Sequence, residues 1–188
     1  GSGSEEGYSC TTDTFGNVFV AGKANTTTST SIATAGSHQA SYGGTGALAL
    51  GDAFLVKFDG NGIRQWATYY GGGGDEEGSS CATDIFGNVF LAGYTDTPTS
   101  PAIATVGSHQ PSFGGGSYDA FLVKFSGTGV RQWATYYGGV ASDYSYSCAT
   151  DVFGNALLSG DTYSLNVIAV GGYQNSLSGT ENSFVSMF

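Results

Sequence analysis

Arg64-Gln-Trp-Ala-Thr-Tyr-Tyr-Gly-Gly72 recurs without change at 131–139. Two further segments travel with it. Asp52-Ala-Phe-Leu-Val-Lys-Phe58 recurs at 119–125 and returns in altered form as Asn182-Ser-Phe-Val-Ser-Met-Phe188. Phe15-Gly-Asn-Val-Phe19 recurs at 86–90 and a third time as Phe153-Gly-Asn-Ala-Leu157. Cys10, Cys81 and Cys148 hold one equivalent position. Self-similarity at this period reads as a tandem array, here three copies at 1–71, 72–138 and 139–188. The insertion 43–51, standing where the second copy has 114–118, marks a loop.

The second copy shows the strands of one unit. Ser80-Cys-Ala-Thr83 is a short strand of small residues, followed by the turn Asp84-Ile-Phe-Gly-Asn88, whose Gly accepts positive φ. Strands at 89–94, 120–125 and 131–137 complete two hairpins, with Ser126-Gly-Thr-Gly129 as the second turn. Alternation puts Trp66, Thr68 and Tyr70 on one face and Gln65, Ala67 and Tyr69 on the other. The fold class is all-β: tandem four-stranded antiparallel sheets, the last lacking its outer strand, with eleven strands expected in units of four, four and three. One such sheet cannot bury its own apolar face, so neighbouring copies must stack.

Composition agrees and narrows function. Gly is 32 of 188 residues and Pro only 3, which indicates many tight turns rather than collagen or proline-rich disorder. With Lys+Arg at 5 and a net charge of −10, no basic patch for nucleic acid can be built. No apolar run approaches the roughly 18 residues of a spanning helix. Ser- and Thr-rich, Lys-poor and acidic, the chain fits an extracellular or cell-surface setting. Lacking an initiator Met and a signal peptide, it reads as a mature product or an excerpt.

Tyr-Tyr-Gly-Gly, then Ala82-Thr-Asp-Ile-Phe-Gly-Asn-Val-Phe-Leu-Ala-Gly-Tyr-Thr95, then Gly107-Ser-His-Gln110, Phe113-Gly-Gly-Gly116 and Asp119-Ala-Phe-Leu-Val-Lys-Phe125 follow in an order that resembles the bacterial β-propeller repeat family abbreviated SBBP. The resemblance covers almost the whole chain. It implies blades arranged around an axis, in secreted or surface proteins of bacteria that are often large and multi-domain. It carries over no catalytic residue. Two departures stand out: Cys at a strand position usually filled by a branched apolar residue, and three repeats where propellers close with about four to eight.

Candidate site residues divide a structural from a chemical reading. The three Cys read as small buried thiols; a three-thiolate metal site or intermolecular disulfides are the alternatives. Glu5 and Glu6, then Asp75, Glu76 and Glu77, then Asp143, share one repeat position beside glycine-rich turns. They read as solvated turns, with calcium at Asp75, Glu76 and Glu77 as the alternative. Asp13, Asp84 and Asp151 are turn residues. His38 and His109, replaced by Tyr173 in the third copy, read as packing residues. Trp66, Trp133 and the Tyr pairs of the outer strand pack between sheets, with glycan binding as the alternative. The long 95–118 connection repeats its core and reads as ordered. The Thr/Ser tract 26–31 follows a sequon at Asn25-Thr-Thr27.

No Ser-His-Asp or paired-carboxylate constellation is assigned, so no catalytic residue and no cofactor are expected. The leading expectation is a structural or adhesive protein that self-associates, with filaments as the open-ended outcome. Phe184, Val185, Ser186, Met187 and Phe188 form the contact strand, completed by residues 1–12 of a neighbouring copy. A ligand-binding module for glycan or protein within a longer chain is the second expectation, and a propeller enzyme such as a polysaccharide lyase or hydrolase the third.

Overall fold

The computed structural model describes residues 3–25, 32–44, 51–98, 102–165, 172–174, 176 and 178–188. They form eleven strands: β1 (Ser4–Thr12), β2 (Val18–Asn25), β3 (Asp52–Phe58), β4 (Arg64–Tyr70), β5 (Glu76–Thr83), β6 (Val89–Thr95), β7 (Asp119–Phe125), β8 (Arg131–Tyr137), β9 (Asp143–Thr150), β10 (Ala156–Thr162) and β11 (Asn182–Met187). No helix occurs among the described residues. Three open antiparallel sheets result, ordered β1-β2-β3-β4, β5-β6-β7-β8 and β9-β10-β11. The first strand of each unit is longer than the four small residues read from the sequence. In the second sheet it starts at Glu76, in the acidic turn. The 26–31 tract and most of the 43–51 insertion lie outside the described residues.

The turn before each second strand is built by its Asp. Asp84 Oδ1 accepts from the backbone N–H groups of Phe86 and Asn88, each at 2.9 Å, while Oδ2 accepts from Asn88 Nδ2 at 2.7 Å. Asp13 and Asp151 repeat the arrangement, and Gly16, Gly87 and Gly154 take the positive φ it requires. The Phe of one turn leans onto the Gly of the next: a Cβ on Gly87 would stand 3.2 Å from the Phe15 ring, and one on Gly154 2.8 Å from Phe86.

Sheets stack through one recurring contact. Tyr70 at the end of β4 is fully buried, its ring centroid 5.2 Å from Phe121 and 6.0 Å from Phe125 of the next sheet. Tyr137 sits likewise against Phe184 at 5.0 Å and Phe188 at 5.6 Å. Around the first seam gather Phe19, Leu55, Leu91 and Val123; around the second, Phe90, Leu122, Leu158 and Ala156. His38 and His109 join these stacks at centroid distances of 5.8 Å from Phe125 and 5.6 Å from Phe188. Burial pulls the His38 imidazole down to about 4, with Arg131 adding to the effect, so it packs as a neutral ring. Tyr173, their counterpart, is instead fully exposed.

Polar contacts repeat in step. Ser9 Oγ accepts from Cys81 N and Ser80 Oγ from Cys148 N, both at 3.1 Å. Thr83 and Thr150 hydroxyls donate to the carbonyls of Thr12 and Thr83 at 2.8 and 2.7 Å. The outer strands are covered as well: Tyr69 N donates to Gln39 O at 3.1 Å and Tyr136 N to Gln110 O at 3.0 Å, so the long connection folds back onto β4 and β8. This occupies edge groups that would otherwise template foreign strands.

Each first strand carries a bulge. Tyr8 is the unpaired residue of β1 and Tyr146 of β9, while in β5 the irregularity spans Gly78 and Ser79. Opposite stand Gly22, Gly160 and Gly93, where a Cβ would overlap the carbonyl oxygens of Glu6, Tyr144 and Glu77. Glycine there is a steric demand of the bulge. Gly93→Ala should therefore cost about 3 kcal/mol, read as a lowered midpoint in urea unfolding, whereas Gly36→Ala, with open space around it, should cost about 1 kcal/mol through its positive φ alone.

Candidate site at the inter-sheet seams

Where two sheets meet, the glycine pair that follows each outer strand faces a pair of carboxyl groups. At the second seam a Cβ on Gly138 would lie 2.8 Å from Asp119 Oδ1 and 2.9 Å from Asp143 Oδ2. At the first, Gly71 faces Asp52 and Glu76 in the same way. All four acids are fully buried. Asp52 Oδ2 accepts from Gly43 N at 2.8 Å and Gln39 Nε2 at 2.6 Å; Asp119 Oδ2 accepts from Gly114 N at 2.6 Å and Gln110 Nε2 at 3.2 Å. Glu76 accepts from Thr95 Oγ1 at 2.6 Å and Gly72 N at 3.0 Å, and Asp143 from Gly139 N at 2.7 Å and Ser164 Oγ at 3.0 Å. Oδ1 of Asp52, Asp119 and Asp143 has no hydrogen-bond partner. Burial pushes the Asp52 and Asp119 carboxyls up to about 7 against the pull of the Gly43 and Gly114 N–H groups, and the charges of Glu76 and Asp143 push the same way. Glu76 and Asp143 are raised too, chiefly by burial. Asn182 takes the place of Asp52 and Asp119 in the third sheet. With its amide oriented to satisfy both ends, the oxygen accepts from Gln174 Nε2 at 2.7 Å and Ser178 N at 3.1 Å and the N–H2 donates to Glu181 O at 2.8 Å.

The expectation that the acidic turns are solvated is thus corrected for three of six residues, Asp75, Glu76 and Asp143, while Glu5 and Glu6 are exposed. Asp75 is 5% exposed, with Lys23 Nζ 2.7 Å from its Oδ1, and Glu76 points into the seam. Glu77 stays at the surface beside Tyr94. The calcium candidates Asp75, Glu76 and Glu77 therefore diverge, and no three His, Cys, Asp or Glu side chains converge on a metal position among the described residues. The thiols need a correction as well. Cys81 and Cys148 are buried, and burial lifts them to about 11 and about 12, but Cys10 is exposed. Its two counterparts are covered by β1 and β5 of the preceding sheet.

The open surfaces are the second candidate. On the first sheet Cys10 is exposed and Val18, Val20 and Phe58 are half-buried, where Cys81, Val89, Leu91 and Phe125 are buried. On the third, Phe184 and Phe188 pack on Tyr137, while Val185 is 73% exposed; its counterparts Leu55 and Leu122 are fully buried. Of the proposed contact strand, Met187 is also exposed and Ser186 half-buried. β11 pairs with β10 from Leu157↔Met187 to Thr162↔Asn182, and no strand lies on its far edge among the described residues.

A third surface was not legible as a unit. Beside the bulges, Tyr94, Tyr118 and Tyr144 form a triangle with centroid distances of 5.3, 5.1 and 5.5 Å. Tyr146 lies parallel to Tyr144 and Tyr163 edge-on to it. The partners Glu6↔Lys23, Glu77↔Tyr94 and Tyr144↔Asp161 occupy one register position of the three sheets, with a different pair in each. A cleft of about 360 Å³ continues this surface past Ser4, Glu6, Tyr8, Lys23 and Asn25.

Residues 65–98 match the β-propeller repeat family SBBP. The chain carries an SBBP repeat. The matched segment runs from β4 of the first sheet through β5 and β6 of the second, so it contains Tyr70, Gly71, Glu76 and Cys81 and spans a seam rather than a sheet. No curated protein matches the chain.

Two outcomes follow from this geometry. Asp52 and Asp119 hold protons in the folded state that the unfolded chain, with its ordinary carboxyl value of 3.8, has released. Their contribution is complete below pH 3.8 and is lost as pH rises through about 7. The turn acids Asp13 and Asp84, held low by bonds to Asn17 and Asn88 against the opposing effect of burial, act the other way and lose their contribution below 3.8. The melting temperature should fall by roughly 5 °C between pH 5 and pH 8, and Asp119→Asn, copying Asn182, should flatten that slope and raise stability at pH 8. Thiol labelling without denaturant should modify Cys10 within minutes and spare Cys81 and Cys148, read by mass spectrometry after proteolysis.

Proposed function

We propose that this β-propeller-type repeat module is a non-catalytic structural protein of the cell exterior that associates with its own copies end to end. The observation that carries the reading is a surface covered twice within the molecule and only partly covered on the first and third sheets, where Cys10, Val185 and Met187 are exposed. Cys10, Val18 and Val20 on the first sheet repeat the positions of Cys81, Val89 and Leu91, while Leu157, Val185 and Met187 on the third repeat those that cover them. The two surfaces differ, so the contact is head-to-tail and adds copies without closing by symmetry. The far edge of β11 carries no strand among the described residues, while residues 4–12, the expected donor, are already paired to β2 as β1, so the apolar faces rather than a donated strand support the joint. A low share of charged residues, 11%, and an acidic balance support the extracellular setting.

Sedimentation velocity of the chain tests this. Parent protein should give mass that grows with concentration into the range of about 100 µM. Val185→Glu and Cys10→Arg, both at exposed positions, should each give monomer with unchanged far-ultraviolet dichroism. Mixed in equal amounts, the two variants should give a dimer and nothing larger, because one intact surface remains on each. A parent that stays monomeric, or variants that still form large species, overturns the reading. Val185→Pro, which removes a backbone donor from β11, should likewise abolish the large species.

A further inference from the structure

The tyrosine-lined surface beside the bulges has a chemistry of its own. Tyr146 is 52% exposed and Tyr163 40%, large aromatic areas to leave in water on a surface where Tyr144 links them. Asp161 is the cross-strand partner of Tyr144, and burial together with the charges of Asp161, Glu181 and Glu77 raises the Tyr146 phenol above its ordinary value. Glu77 is the cross-strand partner of Tyr94, and Glu181 raises the Tyr163 phenol above its ordinary value. Tyr118 OH donates to Asp75 at 3.3 Å and Tyr8 OH to Glu6. The phenols thereby hold carboxylates at the hydroxyl edges of the rings, within reach of a cation that lies on a neighbouring face. Lys23 is the counter-charge here, and it is engaged by Asp75.

We infer that this surface is a docking site for arginine side chains on a basic segment of another protein. A guanidinium is planar, stacks on an aromatic face and meets a carboxylate with two parallel N–H bonds. Rings flanked by fixed carboxylates offer both at once. An ammonium group is compact and strongly hydrated and gains less from the ring. A neutral sugar would stack on the rings, yet it would leave the mutual repulsion of the acids unrelieved. The partner is not a second copy. All five basic side chains of this chain are engaged within it: Lys23 by Asp75, Lys57 by Gly127 O, Arg64 by Ile32 O, Lys124 by Asp84 and Arg131 by Ala102 O.

The placement of the residues agrees with a binding role. The bulge recurs in each first strand, and bulges re-aim side chains out of the ladder. Gly22, Gly93 and Gly160 hold that backbone shape in all three sheets, while the side chains displayed there change from Glu6 and Tyr8 to Glu77 and Ser79 to Tyr144 and Tyr146. Stacking between sheets needs the repeated positions; the varied ones are free for recognition.

Calorimetric titration with the capped peptide Arg-Gly-Arg-Gly-Arg, its lysine counterpart and cellohexaose tests the inference. The arginine peptide should bind about fivefold or more tightly than the lysine peptide, with no heat from the sugar. Tyr146→Ala, Tyr163→Ala and Glu181→Gln, all at exposed positions, should each weaken arginine-peptide binding about fivefold. Asp59→Asn, which removes a carboxylate from the hairpin at the other end of the first sheet, should leave it within twofold. Equal affinity for the two peptides, with all variants like the parent, would mean attraction by bulk charge and overturn the inference. Binding of cellohexaose in place of the peptide overturns it in favour of a glycan.

Discussion

Everything in this molecule depends on one contact, a tyrosine at the end of an outer strand held between two phenylalanines of the next sheet. Tyr70 against Phe121 and Phe125, and Tyr137 against Phe184 and Phe188, set the distance and angle at which sheets meet. Rings of that size bury roughly 150–250 Å² each. They also fix what surrounds them. The glycines after the tyrosine must be bare because two carboxyl groups arrive from opposite sheets at the same point. The small residues of the first strand, Ser9 with Cys81 and Ser80 with Cys148, allow the inner strands to approach closely enough for a hydroxyl to accept a backbone N–H across the seam.

Much of this was written into the sequence because the same demand is met more than once. Repetition of Asp-Ala-Phe-Leu-Val-Lys-Phe and Phe-Gly-Asn-Val-Phe located the strands, and the turn aspartates at 13, 84 and 151 behave as their spacing implied. The acid pairs were hidden for a physical reason. Asp52 lies well before Glu76 in the chain, and only the fold brings them to one place; an Asp opening an apolar strand was the available signal. The acidic turn misled because Asp, Glu and Gly together look solvated, whereas Asp75 and Glu76 enter the seam by way of a strand that starts earlier than its apolar residues do. Cys10 misled because burial of this position comes from the preceding sheet, as at Cys81 and Cys148, and none covers Cys10 among the described residues.

The aromatic cluster shows the same division from the other side. Tyr94, Tyr118 and Tyr144 come from a second strand, a connection and a first strand of two different sheets. No spacing rule joins them. What the sequence does offer is contrast: positions that differ among copies within a frame that otherwise repeats. Glycine at 22, 93 and 160 belongs to the frame, and the residues facing it belong to the surface.

The family repeat at 65–98 begins in one sheet and ends in the next. Such a unit carries the tyrosine, the bare glycines, one acid of the seam pair and the first two strands of the next sheet, while Phe121 and Phe125, which receive the ring, follow on β7. A lineage can lengthen or shorten the array without inventing a new interface, since each added unit brings the half that its predecessor lacks. The ring-facing residues recur at both joints, while the displayed side chains differ from unit to unit. Growth by whole joints gives such proteins a coarse ruler, in which size changes in steps and the surface pattern along it is set unit by unit.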